Sequence, residues 1–268
     1  MVVVTSESVK AHFDQEALHG RRLFPDRNTV SGLGTWRKYE RAADLMADAS
    51  VHDVIDIGCN RGSVEVLFKT RHPDRTASVH VAGVDVSSEA IAQARALGFD
   101  WCAFDAYDGR TLPYSDASFD LAILVEVLEH VINKESLLRE IRRVLRPNGV
   151  LYLTTPNPEC LALRTESMMW RVLRWLARRP MPAKDQFITS RDLSATLDAV
   201  GLERVGAQAF GWPHAFIKIW NWGVVPPLPP SWLYRYQQVC LRRFERPGVS
   251  EWVARRLYWS LVTLLRPR

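Results

Sequence analysis

Cysteine is scarce and scattered in this 268-residue chain. Cys59, Cys102, Cys160 and Cys240 include no C-x-x-C pair, which argues against a zinc knuckle or a disulfide framework and fits a reducing, cytoplasmic setting. Long apolar runs are missing too: no segment reaches the ~18 consecutive apolar residues of a membrane-spanning helix. The opening MVVVTSESVK has no basic flank ahead of an apolar stretch, so a soluble or membrane-peripheral protein is expected. Two nucleotide fingerprints fail on inspection. The turn Gly58-Cys-Asn-Arg-Gly62 is followed by serine, with no lysine to meet a β- or γ-phosphate, and it lacks the G-x-G-x-x-G spacing of a pyrophosphate cradle.

What is present is ample for one large core, with 47% hydrophobic and 24% charged residues. The net charge of +5 is unevenly placed. Ser231 to Arg268 holds eight arginines against Glu245 and Glu251, a local balance of +6 that leaves −1 for the rest.

Residues 1–50 read as polar and helical, with Trp36, Tyr39, Ala43 and Met46 at helical spacing. From 53 onward short apolar runs (DVIDIG, VAGVD, WCAF, FDLAILV, GVLYLTT) alternate with amphipathic segments such as SSEAIAQARALG and ESLLREIRRVL. That rhythm predicts a doubly wound α/β domain around a parallel sheet over about 50–156. Ser87 or Ser88 is placed to cap a helix. Beyond Pro156 the pattern breaks into TESMMWRVLRWLARRP, a basic amphipathic helix, before FITSRDLSATLDAVGL restores a capped one and ERVGAQAF and HAFIKIW offer two further strands.

Ligands of open α/β sheets bind beyond the carboxyl ends of the strands. The residues just after 57, 85, 105 and 125 should therefore share one crevice, bringing Val86, Ala106, Val125 and Glu126 to it. Asp85 is suited to a ribose, because a carboxylate accepts charge-assisted hydrogen bonds from two vicinal hydroxyls. Gly58 and Gly62 let the backbone approach an amino-acid-like moiety, and Asp56 is placed to hold its ammonium or to order the loop. Asp105 is a candidate acceptor for an adenine amino group. Asp108, Asp116 and Asp120 read as turn and loop residues.

The blocks DIGCNRG, GVDVS, FDAYDGRTLPYSDASFDLAILVEVLEHV and LLREIRRVLRPNGVLYLTTPN, in that order over roughly 50–205, resemble class I S-adenosylmethionine-dependent methyltransferases. EVLEHV and FITSRDL are most similar to the polyprenyl-quinone O-methyltransferase branch. The resemblance implies S-adenosyl-L-methionine as cofactor and a seven-stranded, mostly parallel sheet. It divides the chain into a helical cap (1–50), a methyltransferase domain (51–222) with a lid insertion at about 157–184, and a basic, Trp-rich extension (223–268). Asn60 departs from the family's usual glycine, but asparagine tolerates left-handed backbone.

Glu126, Glu129 and His130 have i, i+3, i+4 spacing if a helix begins there, and then share a face. Three readings are open. The cluster could ligate a divalent cation such as Mg²⁺, a role the quinone-methyltransferase resemblance implies. Alternatively, His130 acts alone as general base, or the cluster is structural. For the acceptor, Trp212, Trp220, Trp222, Trp232, Trp252 and Trp259, interleaved with arginine, and the Arg171/Arg174/Arg178 helix face suggest cover for a small-molecule, lipid or glycan acceptor, or contact with an anionic membrane surface. Burial of these tryptophans and of His214 is the plainer reading. Nucleic acid is a poorer partner, because no RNA-binding module is present. The expected activity is O-methylation of a quinone precursor, lipid or sugar. The alternatives are small-RNA 2′-O-methylation and a non-catalytic cofactor-binding docking protein.

Overall fold

The computed structural model describes residues 6–18, 23–24, 30–160, 186–210 and 260–268. Seven strands form one sheet: β1 (Asp53–Ile57), β2 (His80–Asp85), β3 (Cys102–Ala106), β4 (Phe119–Val125), β5 (Leu145–Pro156), β6 (Leu202–Phe210) and β7 (Ser260–Pro267). Their spatial order is β3-β2-β1-β4-β5-β7-β6. The first five strands pair in parallel, while β7 runs antiparallel to both β5 and β6. Neighbours switch sides at β1 and β4, where a crevice opens at the carboxyl ends. The central strands owe their place to apolar runs: Val54, Ile55, Ile57 and Leu121 through Leu124 are all buried, each side chain of that size contributing roughly 1.5–3 kcal/mol.

Helices α1 (Ser6–Leu18), α2 (Val30–Met46), α3 (Ser63–Arg71), α4 (Ser88–Arg95), α5 (Lys134–Val144) and α6 (Ser190–Val200) complete the described fold. Each of the last three is capped as its sequence suggests, with Ser87, Asn133 and Thr189 side chains accepting from Ala90, Ser136 and Asp192 N–H groups. On α2, Ala43 and Met46 are fully buried, with Trp36 and Tyr39 packed against the same cluster.

One boundary needs correcting. The sequence reading put residues 223–268 in an extension, yet Ser260–Pro267 is an inner strand of the sheet, hydrogen-bonded on both sides, with Thr263 and Leu265 buried. Its alternation was hidden behind the arginine-rich stretch before it. Asp120 is also more than a loop residue. It accepts from the His52 and Asp53 N–H groups and pairs with Arg146, which bridges to Asp53. The basic helix expected over 165–180, most of the 157–184 insertion, the strand HAFIKIW, His214 and the tryptophans from 212 to 259 lie outside the described residues. Among the described residues, no helix is long and apolar enough to cross a membrane.

Candidate active site

The loop after β1 is shaped by three residues in left-handed conformation: Gly58 (φ 75°), Asn60 (φ 51°) and Gly62 (φ 79°). Asparagine at the middle position therefore adopts the conformation the turn needs. The Gly58 and Cys59 N–H groups donate to Val84 O at 2.7 and 3.1 Å, drawing the loop down onto β2. A Cβ on Gly58 would stand 2.3 Å from Val127 Cγ2. Gly58→Ala is therefore expected to lose about 2–4 kcal/mol through strained backbone and overpacking, read as a lower urea midpoint. A midpoint matching the wild type would mean that the loop relaxes freely.

Asp85 ends β2, and its carboxylate is already partly used. Oδ2 accepts from Asn60 N–H and Oδ1 from Ser87 N–H, each at 2.9 Å, tying two loops together. A carboxylate has about four acceptor positions, and the Asn60, Ser87 and Val86 N–H groups leave room for a further donor. Burial raises the Asp85 pKa, while the backbone N–H groups oppose the shift.

Asp56 and Gly62 lie behind the loop rather than on the cavity wall. Asp56 is buried beside Glu65 of α3, a residue with no exposure. Asp56 Oδ2 and both Glu65 oxygens are buried without a hydrogen-bond partner, and two carboxyls buried this close together favour sharing a proton. Desolvation, aided by the charges of Glu65 and Asp85, pushes Asp56 well above the usual carboxylate range, and desolvation pushes Glu65 up to about 7.

Asp105 takes a different position from the one expected. Its side chain is half exposed and ion-paired with Arg95 at 2.7 Å, and neither it nor Ala106 reaches the cavity. Tyr107, Asp108, Gly109 and Arg110 line that wall instead. Asp108 also accepts from the Arg110 and Thr111 N–H groups, as a turn aspartate does.

The Glu126/Glu129/His130 cluster does not form the shared face that a metal site needs. Only Leu128–His130 is helical, as a single 3-10 turn, and Glu126 precedes it with φ 56°. Glu126 Oε1 pairs with Lys38 Nζ at 2.9 Å and accepts from Thr154 Oγ1 at 3.0 Å. The Glu129 side chain is buried against Thr155 and leaves the cavity to His130. Among the described residues, no group of three or more His, Cys, Asp or Glu side chains is arranged to hold a metal. The residues do not fit Mg²⁺, and that expectation is withdrawn. The helical spacing misled because the left-handed backbone at Glu126 breaks the period.

Gly58, Asn60, Asp85, Val86, Val125, Glu126 and His130 do come together, around a cavity of about 670 Å³, within the range of a site for a drug-sized ligand. One end is polar, at Asp85, Asp108 and Glu126. The other is walled by Val127, Val131, Ile132 and Leu137. Glu7, Val9, Lys10 and Phe13 of α1 and Tyr39 of α2 close one side, with the Phe13 ring edge-on to His130 at 5.1 Å between centroids. Helix α1 is held there by Asp14, which accepts from Ser87 Oγ at 2.6 Å, and by Gln93 Nε2 donating to Ala17 O. The sequence reading missed Phe13, Lys38 and Glu65. For Lys38 and Glu65 the available signal was a charged residue on the apolar stripe of an amphipathic helix.

A family model described as a methyltransferase domain matches residues 26–206. The chain is 29% identical, over 67% of its length and 76% of the relative's, to O-methyltransferase rstn1 of Aspergillus nomiae. It is 27% identical to a ubiquinone biosynthesis O-methyltransferase of Rhodopseudomonas palustris, covering 68% of this chain and 70% of that one. In other curated relatives the match spans about half of their length. Among solved structures, the complex of a methyltransferase with the Haloferax volcanii Trm112 methyltransferase activator shares the fold, with a TM-score of 0.61 at 18% identity over 97% of both chains.

Proposed function

Because the chain belongs to the class I S-adenosylmethionine-dependent methyltransferases, we propose that it methylates a hydroxyl of a small or lipophilic metabolite, such as a quinone precursor, a lipid or a sugar. The observation that carries this reading is the single cavity lined by the Asp85 carboxylate, by His130 and by apolar side chains. Relatives named as O-methyltransferases support the choice of oxygen as the methylated atom.

When bound, S-adenosylmethionine supplies an electrophilic methyl on a positively charged sulfur and departs as the neutral thioether. Asp85 would accept from the two ribose hydroxyls. The backbone of Gly58 to Asn60 would approach the amino-acid end, in a turn whose left-handed start and contact with Val127 call for glycine at 58. The acceptor hydroxyl would lie against His130, which takes its proton as the oxygen bonds to carbon. Phe13 and the valine wall exclude water and hold the reacting atoms in line.

His130→Ala is expected to lower kcat about 100-fold or more while donor affinity stays within about twofold. The measurement is methylated product by mass spectrometry at saturating donor, beside calorimetric donor affinity. An unaltered kcat would remove His130 from the chemistry, and donor binding without product from any acceptor class would favour a docking protein instead.

A further inference from the structure

We propose that Lys38 is a positioning residue of the methyl-transfer site, an internal cation that fixes Glu126 at the wall of the donor cavity where the sequence pattern suggested a divalent ion. The inference rests on the donor-binding reading above and extends it to a residue outside the cavity lining, on the amino-terminal helix α2.

Lys38 is only 5% exposed, an unusual place for an ammonium, which strongly favours a charged partner when it is removed from water. Its partner is Glu126 Oε1 at 2.9 Å. The helix that delivers it is anchored at that residue and beyond it: Tyr152 Oη donates to the Lys38 carbonyl at 3.2 Å, and Ala42, Ala43 and Met46 are buried in the core below. Lys38 therefore arrives with a backbone already fixed by the sheet.

Glu126 needs such fixing for two reasons. Its backbone is left-handed, a conformation that a glutamate keeps only when its surroundings impose it. Thr154 supplies part of that constraint, its carbonyl and hydroxyl oxygens both accepting from Glu126 N–H at 3.1 Å. The surroundings are also acidic. The Tyr39 hydroxyl pKa is pushed up by burial and then by the charges of Asp56, Glu126 and Glu65, with Arg61 opposing, so these groups share one neighbourhood. Without Lys38, Thr154 Oγ1 would be left to hold Glu126 Oε1, and the carboxylate would be freer to turn away. With Lys38 and Thr154 Oγ1 both donating to Oε1, one rotamer is selected before any ligand arrives. A preset charge of this kind spares the reorganisation that a flexible carboxylate would require. The same pairing occupies the carboxylate that a divalent ion would need.

The test measures donor affinity by calorimetry and turnover with and without EDTA, for the wild-type protein, Lys38→Met, Lys38→Arg, Glu126→Gln and the Lys38→Met/Glu126→Gln double variant. Turnover should be unchanged by EDTA. Lys38→Met should weaken donor binding by about 30-fold, roughly the 2 kcal/mol at the low end for truncating one partner of a hydrogen-bonded charge pair, and Lys38→Arg should restore much of it. Because Lys38 acts through Glu126, the double variant should be no worse than Glu126→Gln alone. Should Lys38→Met fail to fold, Glu126→Gln carries the test, since this partly exposed position should accept an amide, and it must by itself weaken donor binding. Wild-type affinity in either single variant, effects that multiply in the double variant, or turnover abolished by EDTA would overturn the proposal. A wild-type protein that binds no donor would overturn the underlying reading as well.

Discussion

Replacing Asp85 with alanine is expected to weaken donor binding by about 100- to 1,000-fold while the sheet stays folded. The carboxylate loses two charge-assisted hydrogen bonds to the ribose, together about 3–4 kcal/mol after exchange with water. It also releases the Asn60 and Ser87 N–H groups that it holds at 2.9 Å, so the loop that shapes the cavity loosens and stability falls by about 1–3 kcal/mol. Asp85→Asn should fall between the two, because an amide oxygen still accepts but carries no charge. Since burial raises the Asp85 pKa, acidification should begin to weaken donor binding above the pH at which an ordinary aspartate protonates. Isothermal titration of the three proteins reads all of this. Equal affinities would show that the ribose is not held by Asp85.

Glu65→Gln should change the pH dependence of folding. Glu65 and Asp56 are buried together and both are shifted upward, Glu65 to about 7 from an ordinary 4.5. A carboxyl with a raised folded pKa binds more protons in the folded state than in the unfolded one between those two values. Stability therefore declines as pH rises from about 4.5 to about 7, and the raised Asp56 adds to that decline. The shift corresponds to roughly 3 kcal/mol. Glutamine removes that proton uptake and can donate its amide to Asp56. The variant should match the wild type near pH 4.5 and be more stable by about 3 kcal/mol at pH 8. Denaturant melts across that range provide the check, and parallel profiles would rule out a shared proton.

Most of the fold could be read in advance because parallel strands buried on both faces are continuous apolar words, as DVIDIG and FDLAILV are, and because a capping serine marks a helix start, as Ser87 does. The left-handed turn at Asn60 and the inward placement of Asp85 followed from the same local chemistry. What failed depended on distant partners. Asp105 stands at a strand tip as expected, but Arg95, ten residues earlier, takes its side chain to the surface. The Glu126/Glu129/His130 spacing suggested one helical face until the backbone at Glu126 turned left-handed and Lys38 claimed its carboxylate, a contact across 88 positions of sequence. Strand β7 was missed because the chain returns from beyond residue 210 to insert its last residues between β5 and β6, and nothing in local periodicity announces a pairing so far along the chain.

Titrating the purified protein with S-adenosylmethionine and with its demethylated product tests the central claim directly. The Asp85 crevice predicts saturable heat from both, lost in Asp85→Ala, and none from ATP or NAD. Heat from ATP or NAD with no response to either sulfur nucleoside would contradict it.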